Sequence, residues 1–223
     1  MLVEPLALWV ARTNAWIVAP SGPGGACVLV DAPPEPSALL GRLAELDLRL
    51  VALLSTHGHI DHVGGISTVV RAQGHPVPVH IHERDRHMLL DPRAAAGSLA
   101  AFLDDLHLDP PEIVGGLDHG TVVSGAGMRF TAIHTPGHTP GSVCLRLDVE
   151  GELPLLFTGD HLLAGSVGRT DLPGGSFEQL MASMAERILP LPDDLAVLPG
   201  HGPATTLGRE RATNPFLAGL PAG

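Results

Sequence analysis

The sequence predicts an α/β fold in which two β-sheets pack face to face and helices cover their outer faces, an αββα sandwich. Short apolar runs typical of strands occur in two sets along the chain, and each set is followed by segments with helical periodicity. No linker-like change of composition divides the 223 residues. We therefore predict one domain over residues 1–223. The periodicity alone does not separate this layout from other α/β arrangements.

The first set of predicted strands opens with a β-meander, because turn-forming residues separate three short apolar runs. A helix should follow, since the leucines at positions 39, 40, 43 and 46 recur at intervals of three and four residues, as on one face of an amphipathic helix. The predicted strands of this half are Leu6–Val10, Ala15–Val18, Cys27–Asp31, Leu50–Leu54 and Val77–Ile81. The predicted helices are Glu35–Asp47, His62–Gly74, Glu83–Leu90 and Ala94–Leu106, with Pro92 separating the last two.

The second set of predicted strands begins with a hairpin that joins Gly120–Ser124 to Met128–His134. The further predicted strands are Val143–Val149, Leu153–Phe157 and Leu195–Leu198. The last predicted helix is Phe177–Leu189, for which Ser176 is the expected N-cap.

The composition argues against a polyanionic partner. Lys and Arg total 13 against 24 Asp and Glu, which gives a formal net charge of −11, so we expect no nucleic-acid partner. We expect no membrane span, because no apolar stretch approaches the required length. Cys27 and Cys144 lie in apolar, strand-like runs and are expected to be buried, reduced thiols. With no signal-peptide pattern in view, a cytoplasmic location is the expectation.

One stretch, Ser55–His62, places three histidines and an aspartate within six consecutive positions. In an extended loop, residues two apart point the same way, so His57 and His59 can reach one ion together. Asp61 and His62 fall where a helix is predicted to begin and should project from another direction, which suits a second ion. Imidazole and carboxylate suit zinc, iron or manganese, and the lack of a nearby thiolate argues against a structural Cys-type zinc site.

Further candidate ligands follow predicted strands later in the chain. His138 lies in a Pro- and Gly-rich loop after a strand, Asp160 follows the strand that ends at Phe157, and His201 follows the final strand. A histidine in such a loop is by itself more often a surface residue. Four candidate motifs at strand ends in this order favour a metal centre.

The spacing HxHxDH over residues 57–62, with the His138 loop, Asp160 and His201, resembles the ligand set of the metallo-β-lactamase superfamily. The stretch Gly165–Gly175 narrows the resemblance to the short bacterial glyoxalase II (hydroxyacylglutathione hydrolase)-like branch, which lacks the C-terminal helical domain of the longer enzymes. The resemblance implies an αββα fold with two mixed sheets. It also implies two Zn²⁺ ions per chain, with Fe or Mn as the alternative metals.

The resemblance also implies a role for each candidate. The first metal would be held by His57, His59 and His138, the second by Asp61, His62 and His201, and Asp160 would bridge them. Asp61 and Asp160 are the implied catalytic carboxylates. Arg169 corresponds to a basic residue close to substrate and is a candidate for binding a carboxylate, with a salt bridge to Asp171 as the alternative. His134 and His161 are expected to lie outside the ligand set.

The activity implied by the resemblance is hydrolysis of S-2-hydroxyacyl thioesters such as S-lactoylglutathione by a hydroxide that bridges the metals. The expected partner is therefore a small-molecule thioester. The chain has no tyrosine and lacks the domain with which the longer enzymes grip glutathione, so the thiol carrier stays open, as does the oligomeric state. Two alternatives are a persulfide dioxygenase with one iron on His57, His138 and Asp160, and a non-catalytic metal-binding module.

Overall fold

Two six-stranded β-sheets form the centre of the computed structural model, which describes residues 1–103, 108–149, 151 and 153–220. The strands of the first sheet are β1 Leu2–Leu8, β2 Thr13–Ala19, β3 Gly25–Val30, β4 Leu48–Leu54, β5 Val79–Ile81 and β6 Val114–Gly116. They are neighbours in chain order. The first three are antiparallel, as the predicted meander requires, and β3 to β6 are parallel.

The second sheet is built from the carboxyl-terminal half of the chain. The remaining strands are β7 Val122–Gly125, β8 Met128–His134, β9 Val143–Leu147, β10 Leu155–Gly159, β11 Leu162–Leu163, β12 Ser166–Val167, β13 Ala196–Pro199 and β14 Thr205–Thr206. The order across this sheet is β14-β13-β10-β9-β8-β7, and β11 pairs with β12 in a separate hairpin. Only β10 and β13 are parallel among its described neighbours, so both large sheets are mixed.

Helices cover the outer faces of both sheets and also form part of the cleft at the ends of the strands. They are α1 Pro36–Glu45, α2 Ile60–Val63, α3 Ile66–Arg71, α4 Arg86–Leu90, α5 Pro92–Ala95, α6 Phe177–Ser183 and α7 Leu207–Thr213. The predicted αββα sandwich with two mixed sheets is confirmed. No helix in the described part of the chain has both the length and the apolar character that crossing a membrane requires.

Three apolar layers hold the sandwich together, because alternate strand residues face opposite sides of each sheet. Between the sheets, Trp16 packs edge-on against Phe157 with ring centroids 6.0 Å apart. On the outer face of the first sheet, Ile17 belongs to a buried cluster that includes α1 and α3 residues. On the outer face of the second, Leu156 packs in a cluster with Leu180 of α6. Every layer is aliphatic apart from a few aromatic rings.

The two cysteines are buried and free, as predicted. Cys27 packs with the outer cluster of the first sheet and Cys144 with that of the second. Burial raises the pKa of each thiol to about 12. Neither cysteine is therefore suited to bind a metal or act as a nucleophile at neutral pH.

The predicted helix His62–Gly74 is wrong in its bounds, because the chain forms α2 from Ile60 and then breaks at Gly64–Gly65 before α3. A Cβ atom at Gly65 would collide with the carbonyl oxygen of Pro33, so this close crossing requires glycine. The backbone N–H of Gly65 donates to the carbonyl of Ala32, 2.8 Å away. The break therefore lets the loop after β3 pass against the loop that carries the candidate ligands.

Other predicted helices are shorter or tighter than expected. Glu83–Asp85 is a 3₁₀ turn that leads into α4, and Pro92 begins α5 instead of only separating two helices. The predicted helix Ala94–Leu106 gives way to a 3₁₀ segment over Gly97–Phe102, and residues 104–107 lie outside the described part of the chain. Glycine at the start of this segment disfavours a continuous α-helix.

The last predicted helix is confirmed at its start and wrong at its end. The Ser176 hydroxyl caps α6 by accepting a hydrogen bond from the Gln179 N–H. After Ser183 the helix widens into a π turn over Met184–Ile188. Strands β6, β11, β12 and β14 and helix α7 were not predicted, because each is too short to show a clear periodicity.

Replacing Phe157 by alanine should remove a main contact between the two sheets. Phe157 is fully buried, so we expect the free energy of unfolding to fall by about 3–5 kcal/mol. Phe177→Ala is the matched control, because Phe177 is 52% exposed, and it should change the value by about 0.5 kcal/mol or less. Urea unfolding followed by circular dichroism measures both. Equal losses in the two variants would contradict this description of the core.

Candidate metal centre

The seven predicted ligands come together where four strands of the two sheets end. His57, His59, Asp61 and His62 follow β4, His138 follows β8, Asp160 follows β10 and His201 follows β13. Residues more than a hundred positions apart in the chain thus meet in one cleft between the ends of the sheets. The structure therefore groups every one of the predicted ligands.

The first group contains His57, His59 and His138. Nε2 of His138 lies 3.1 Å from Nε2 of His57 and 2.9 Å from Nδ1 of His59. One ring nitrogen from each histidine falls within a sphere that a single ion could occupy. This is the set that the sequence predicted for the first metal.

The second group contains Asp61, His62 and His201. Oδ2 of Asp61 lies 3.6 Å from Nε2 of His62 and 3.3 Å from Nε2 of His201. The hydroxyl of Thr13 donates to the same carboxylate oxygen at 2.9 Å, which orients Asp61 from β2. This is the set that the sequence predicted for the second metal.

Asp160 lies between the two groups. Its Oδ2 atom is 3.6 Å from Nε2 of His138 and 3.4 Å from Nε2 of His201, so one carboxylate oxygen faces both sets. Its Oδ1 atom is 3.5 Å from Nε2 of His62. Asp160 is therefore placed where the family resemblance implies a carboxylate shared by the two groups.

Asp31 orients the second group, and sequence reasoning did not identify it. Its carboxylate accepts hydrogen bonds of 2.8 Å from the N–H and the hydroxyl of Thr56 and from Nδ1 of His62. With Nδ1 used as a donor, Nε2 of His62 presents its lone pair to the cleft. The only signal in the sequence was an acid directly at the end of a buried strand.

The imidazoles of the first group are oriented in the same way. Nδ1 of His138 donates to the carbonyl of Arg169 at 2.7 Å. Nδ1 of His57 lies 3.2 Å from the Thr56 hydroxyl oxygen, which can accept because that hydroxyl donates to Asp31. Nε2 of His57 and of His138 is therefore the atom with a free lone pair, whereas His59 faces the group through Nδ1.

Asp85 fastens the two loops that supply the first group, and it too was missed. Its carboxylate accepts from the N–H of Gly58 at 3.0 Å, the hydroxyl of Thr139 at 2.6 Å and the N–H of Gly141 at 2.7 Å. Gly58 lies between two ligands and Thr139 follows another. A buried carboxylate with three donors thus sets the distance between the loops.

The loop that carries His201 is attached to the first sheet. The Asn14 amide donates to the carbonyls of Pro199 and Gly202 at 3.0 and 2.9 Å, and the Trp16 indole donates to Pro199 at 3.1 Å. Gly200 passes so close to Asp160 that a Cβ atom there would lie 2.5 Å from Oδ1. These contacts bring a ligand from the second sheet against those from the first.

The residues present fit a pair of metal ions. Nε2 of His62 and Oδ1 of Asp160 are buried and have no hydrogen-bond partner among the described residues. The lone pairs of neighbouring imidazoles face each other at about 3 Å, an arrangement that only a cation or a proton between them stabilises. Nitrogen and carboxylate donors without thiolate suit zinc, iron or manganese.

The histidines of the two groups differ in their pKa values, because burial dominates in the first group and nearby carboxylates dominate in the second. Burial lowers the pKa of His59 to about 4 and that of His57 well below its usual value. Burial also lowers the pKa of His62, but nearby carboxylates, Asp61 foremost, raise it by more, so that it lies well above its usual value. Burial raises the pKa of the Asp61 carboxyl, but neighbouring histidines, His62 foremost, lower it by more, so that it falls to about 2.

The other residues singled out from the sequence lie around this centre. His134 is stacked on His82 with ring centroids 4.0 Å apart, and its Nε2 donates to the Pro140 carbonyl at 3.0 Å, so it contacts the His138 loop from outside the three groups of potential ligands. His161 is buried and outside the three groups of potential ligands. Arg169 lines the cleft and donates through Nε and Nη2 to Asp171 at 2.7 and 2.8 Å.

Comparison with known proteins identifies the family. A family model described as the metallo-beta-lactamase superfamily matches residues 8–201. The chain therefore belongs to the metallo-beta-lactamase superfamily. Among curated relatives, the hydroxyacylglutathione hydrolase GloC of Haemophilus influenzae is 35% identical over 218 residues, covering 94% of this chain and 90% of that protein.

Solved structures share the whole fold. The BLEG-1 B3 metallo-beta-lactamase is 35% identical, with a TM-score of 0.84 over 98% of this chain and 100% of that one. TTHA1623, in a di-iron-bound form, is 40% identical, with a TM-score of 0.81 over 96% of this chain and 100% of that one. ETHE1 from Myxococcus xanthus is 27% identical, with a TM-score of 0.76 over 98% of this chain and 85% of that one.

Asp31→Asn should weaken metal binding at the second group. The amide keeps the volume of the carboxylate but loses the charge that holds Nδ1–H of His62. We expect the affinity for the second zinc ion to fall by about 10–100-fold and the first to change little. Competition titration with a chromophoric chelator measures both steps. Asp194→Asn, at an exposed position, is the control, and an unchanged second step in Asp31→Asn would contradict the assigned role.

Metal binding at the second group should release protons at pH 7. Burial lowers the pKa of His201, but its hydrogen bonds to Asp160 and Asp61 raise it by more, to about 9. The ring is therefore protonated in the metal-free protein below about pH 9, whereas a metal ligand must be deprotonated. We expect zinc affinity to rise with pH up to this value. Calorimetry in buffers of different ionisation enthalpy counts the protons, and undiminished release in His201→Ala would be inconsistent with this assignment.

Proposed function

We propose that this protein is a metal-dependent hydrolase of S-2-hydroxyacyl thioesters that uses two metal ions, with zinc as the expected metal. The observation that carries the proposal is the position of Asp160 between two complete groups of ligands at the floor of an open cavity. The similarity to GloC supports the thioester as the bond cleaved. The expected partner is a small-molecule substrate, and we expect the enzyme to act in the cytoplasm.

The cavity beside the metal centre is large enough for such a substrate. Its volume is about 610 Å³, and His59, Asp61, His138, Asp160 and His201 form its floor. Apolar side chains form most of the remaining wall. A substrate bound there would lie with its reacting carbonyl against the ligands and its other groups along the apolar wall.

Two bound cations would supply the reaction with a water whose pKa is about 7 instead of 15.7 and with a Lewis acid for the substrate carbonyl. The role of the protein is then to position and orient. Thr13 and Asp31 hold Asp61 and His62 in place by hydrogen bonds. Asp85 keeps the loops of the first group together. The apolar wall would contact the groups that flank the thioester, whose thiolate is a good leaving group.

A persulfide dioxygenase remains the second candidate, favoured by the likeness to ETHE1 over nearly the whole chain. This activity would need one iron ion on His57, His138 and Asp160. The ligand atoms of those residues lie in the same cleft. Metal content separates the two candidates, because about two zinc ions per chain fit the hydrolase and about one iron ion fits the dioxygenase.

Asp160→Ala should abolish metal-dependent thioester hydrolysis. Loss of the carboxylate that faces both groups should lower kcat/KM by at least about 100-fold, and chelation should do the same to the wild-type protein in a manner that added zinc reverses. The assay uses S-lactoylglutathione and the S-lactoyl thioester of N-acetylcysteamine, with thiol release as the readout. Asp194→Ala is the control at an exposed position.

The outcomes are distinct. Full activity of Asp160→Ala on either thioester would overturn the assigned role of this residue. Absence of turnover by the zinc-loaded wild-type protein, together with oxygen uptake when the iron-loaded protein meets a persulfide, would favour the second candidate. Metal retained without any turnover would favour a non-catalytic binding module.

A further inference from the structure

The cavity above the metal centre has a mostly apolar wall. Ile60, Met88, Leu99, Leu172 and Pro173 line it from separate segments of the chain. The carboxylates and histidines of the floor are committed to the two groups of ligands. A substrate therefore meets hydrocarbon surface once it extends beyond the reacting carbonyl.

An apolar rim continues this wall towards solvent. Trp9 and Leu99 pack against the buried cluster that contains Ile60, and Trp9 contacts the ring of Phe102 edge-on with centroids 6.1 Å apart. Phe102 is 53% exposed, and Val10, which precedes the cavity residue Ala11, is 58% exposed. Exposed apolar side chains grouped at the mouth of a cavity favour an apolar ligand.

The charge at the cavity wall does not suit an anionic ligand. Arg169 is the only arginine among the described lining residues, and the chain contains no lysine. Its guanidinium forms a two-point ion pair with Asp171, which compensates its positive charge. With the metal ions engaged by the reacting carbonyl, a carboxylate elsewhere on the ligand would lose water along this wall and meet only a guanidinium that already pairs with Asp171.

We propose that the thiol portion of the substrate is apolar and uncharged, and that the Arg169–Asp171 pair excludes thiols that carry carboxylates, such as glutathione. This inference rests on the proposed thioester hydrolysis and adds the class of thiol. Because Asp171 already pairs with the guanidinium of Arg169, this cation does not pair with the carboxylate of an anionic thiol. Asp171 is therefore a residue that determines specificity without touching the reacting atoms.

The first test compares thioesters that share the acyl group and differ in the thiol. The zinc-loaded wild-type enzyme is assayed near pH 8 with S-lactoyl thioesters of benzyl mercaptan, N-acetylcysteamine and glutathione. We expect kcat/KM for the benzyl thioester to exceed that for the glutathione thioester by at least about tenfold. A preference for the glutathione thioester would overturn the inference while leaving the hydrolase proposal intact.

The second test removes the charge of Asp171, so that the guanidinium of Arg169 can pair with a ligand. Asp171→Asn should raise kcat/KM for the glutathione thioester by about three- to tenfold and change that for the benzyl thioester by less than about twofold, because only the anionic thiol gains a partner. Asp148→Asn is the matched control, since Arg146 and Asp148 form an exposed pair with the same spacing outside the cavity. Equal effects of Asp171→Asn on both thioesters, or equal effects of the two variants, would contradict the assigned role of the pair.

Binding measurements keep the two proposals separable. Non-hydrolysable 2-hydroxypropyl thioethers of benzyl mercaptan and of glutathione can be titrated into the zinc-loaded protein by calorimetry. Tighter binding of the benzyl compound without turnover of any thioester would support the apolar thiol site and overturn the hydrolase. Tighter binding of the glutathione compound would overturn the apolar thiol site whatever the turnover.

Discussion

The structure depends on the compensation of buried carboxylates where the ends of the two sheets meet. Asp31 is 1% exposed and Asp61 is 9% exposed, and an ionised carboxylate is costly there unless positive charge or several donors surround it. Imidazoles and backbone N–H groups supply part of this compensation, and bound metal ions can supply the rest. The same buried carboxylates therefore make folding costly at this point and give the site its capacity to bind cations.

The same contacts join the sheets. Asn14 and Trp16 of β2 donate to the chain at the end of β13, and Asp85, after β5, accepts from the loop between β8 and β9. The ligand groups are therefore complete only when the two sheets are packed together. A change that loosens the layer around Phe157 should for this reason disturb metal binding as well as stability.

The chemistry of the site was predictable from the sequence because the ligands cluster in short motifs at strand ends. Asp31 and Asp85 were not predictable in the same way, since their partners lie about 25 to 56 positions away and only the packed fold brings them together. The order of the apolar runs predicted an α/β fold with two sheets, and the resemblance to the superfamily selected the αββα layout. The short strands β6 and β14 and the π turn after α6 did not, because a few residues show no period and tertiary contacts decide their form.

Asp85 also has a consequence for how such an enzyme can change over evolution. The turn that carries it leads directly into α4, whose Met88 lines the cavity, so this wall is tied to the loops of the first ligand group. Substitutions that reshape α4 would tend to move the ligands too. The segment with Leu172 and Pro173 is tied to the first group as well, because the Arg169 carbonyl accepts from Nδ1 of His138 and the Ser176 N–H donates to the Gly137 carbonyl. New substrate preferences should therefore arise from side-chain substitutions that leave these backbone contacts in place.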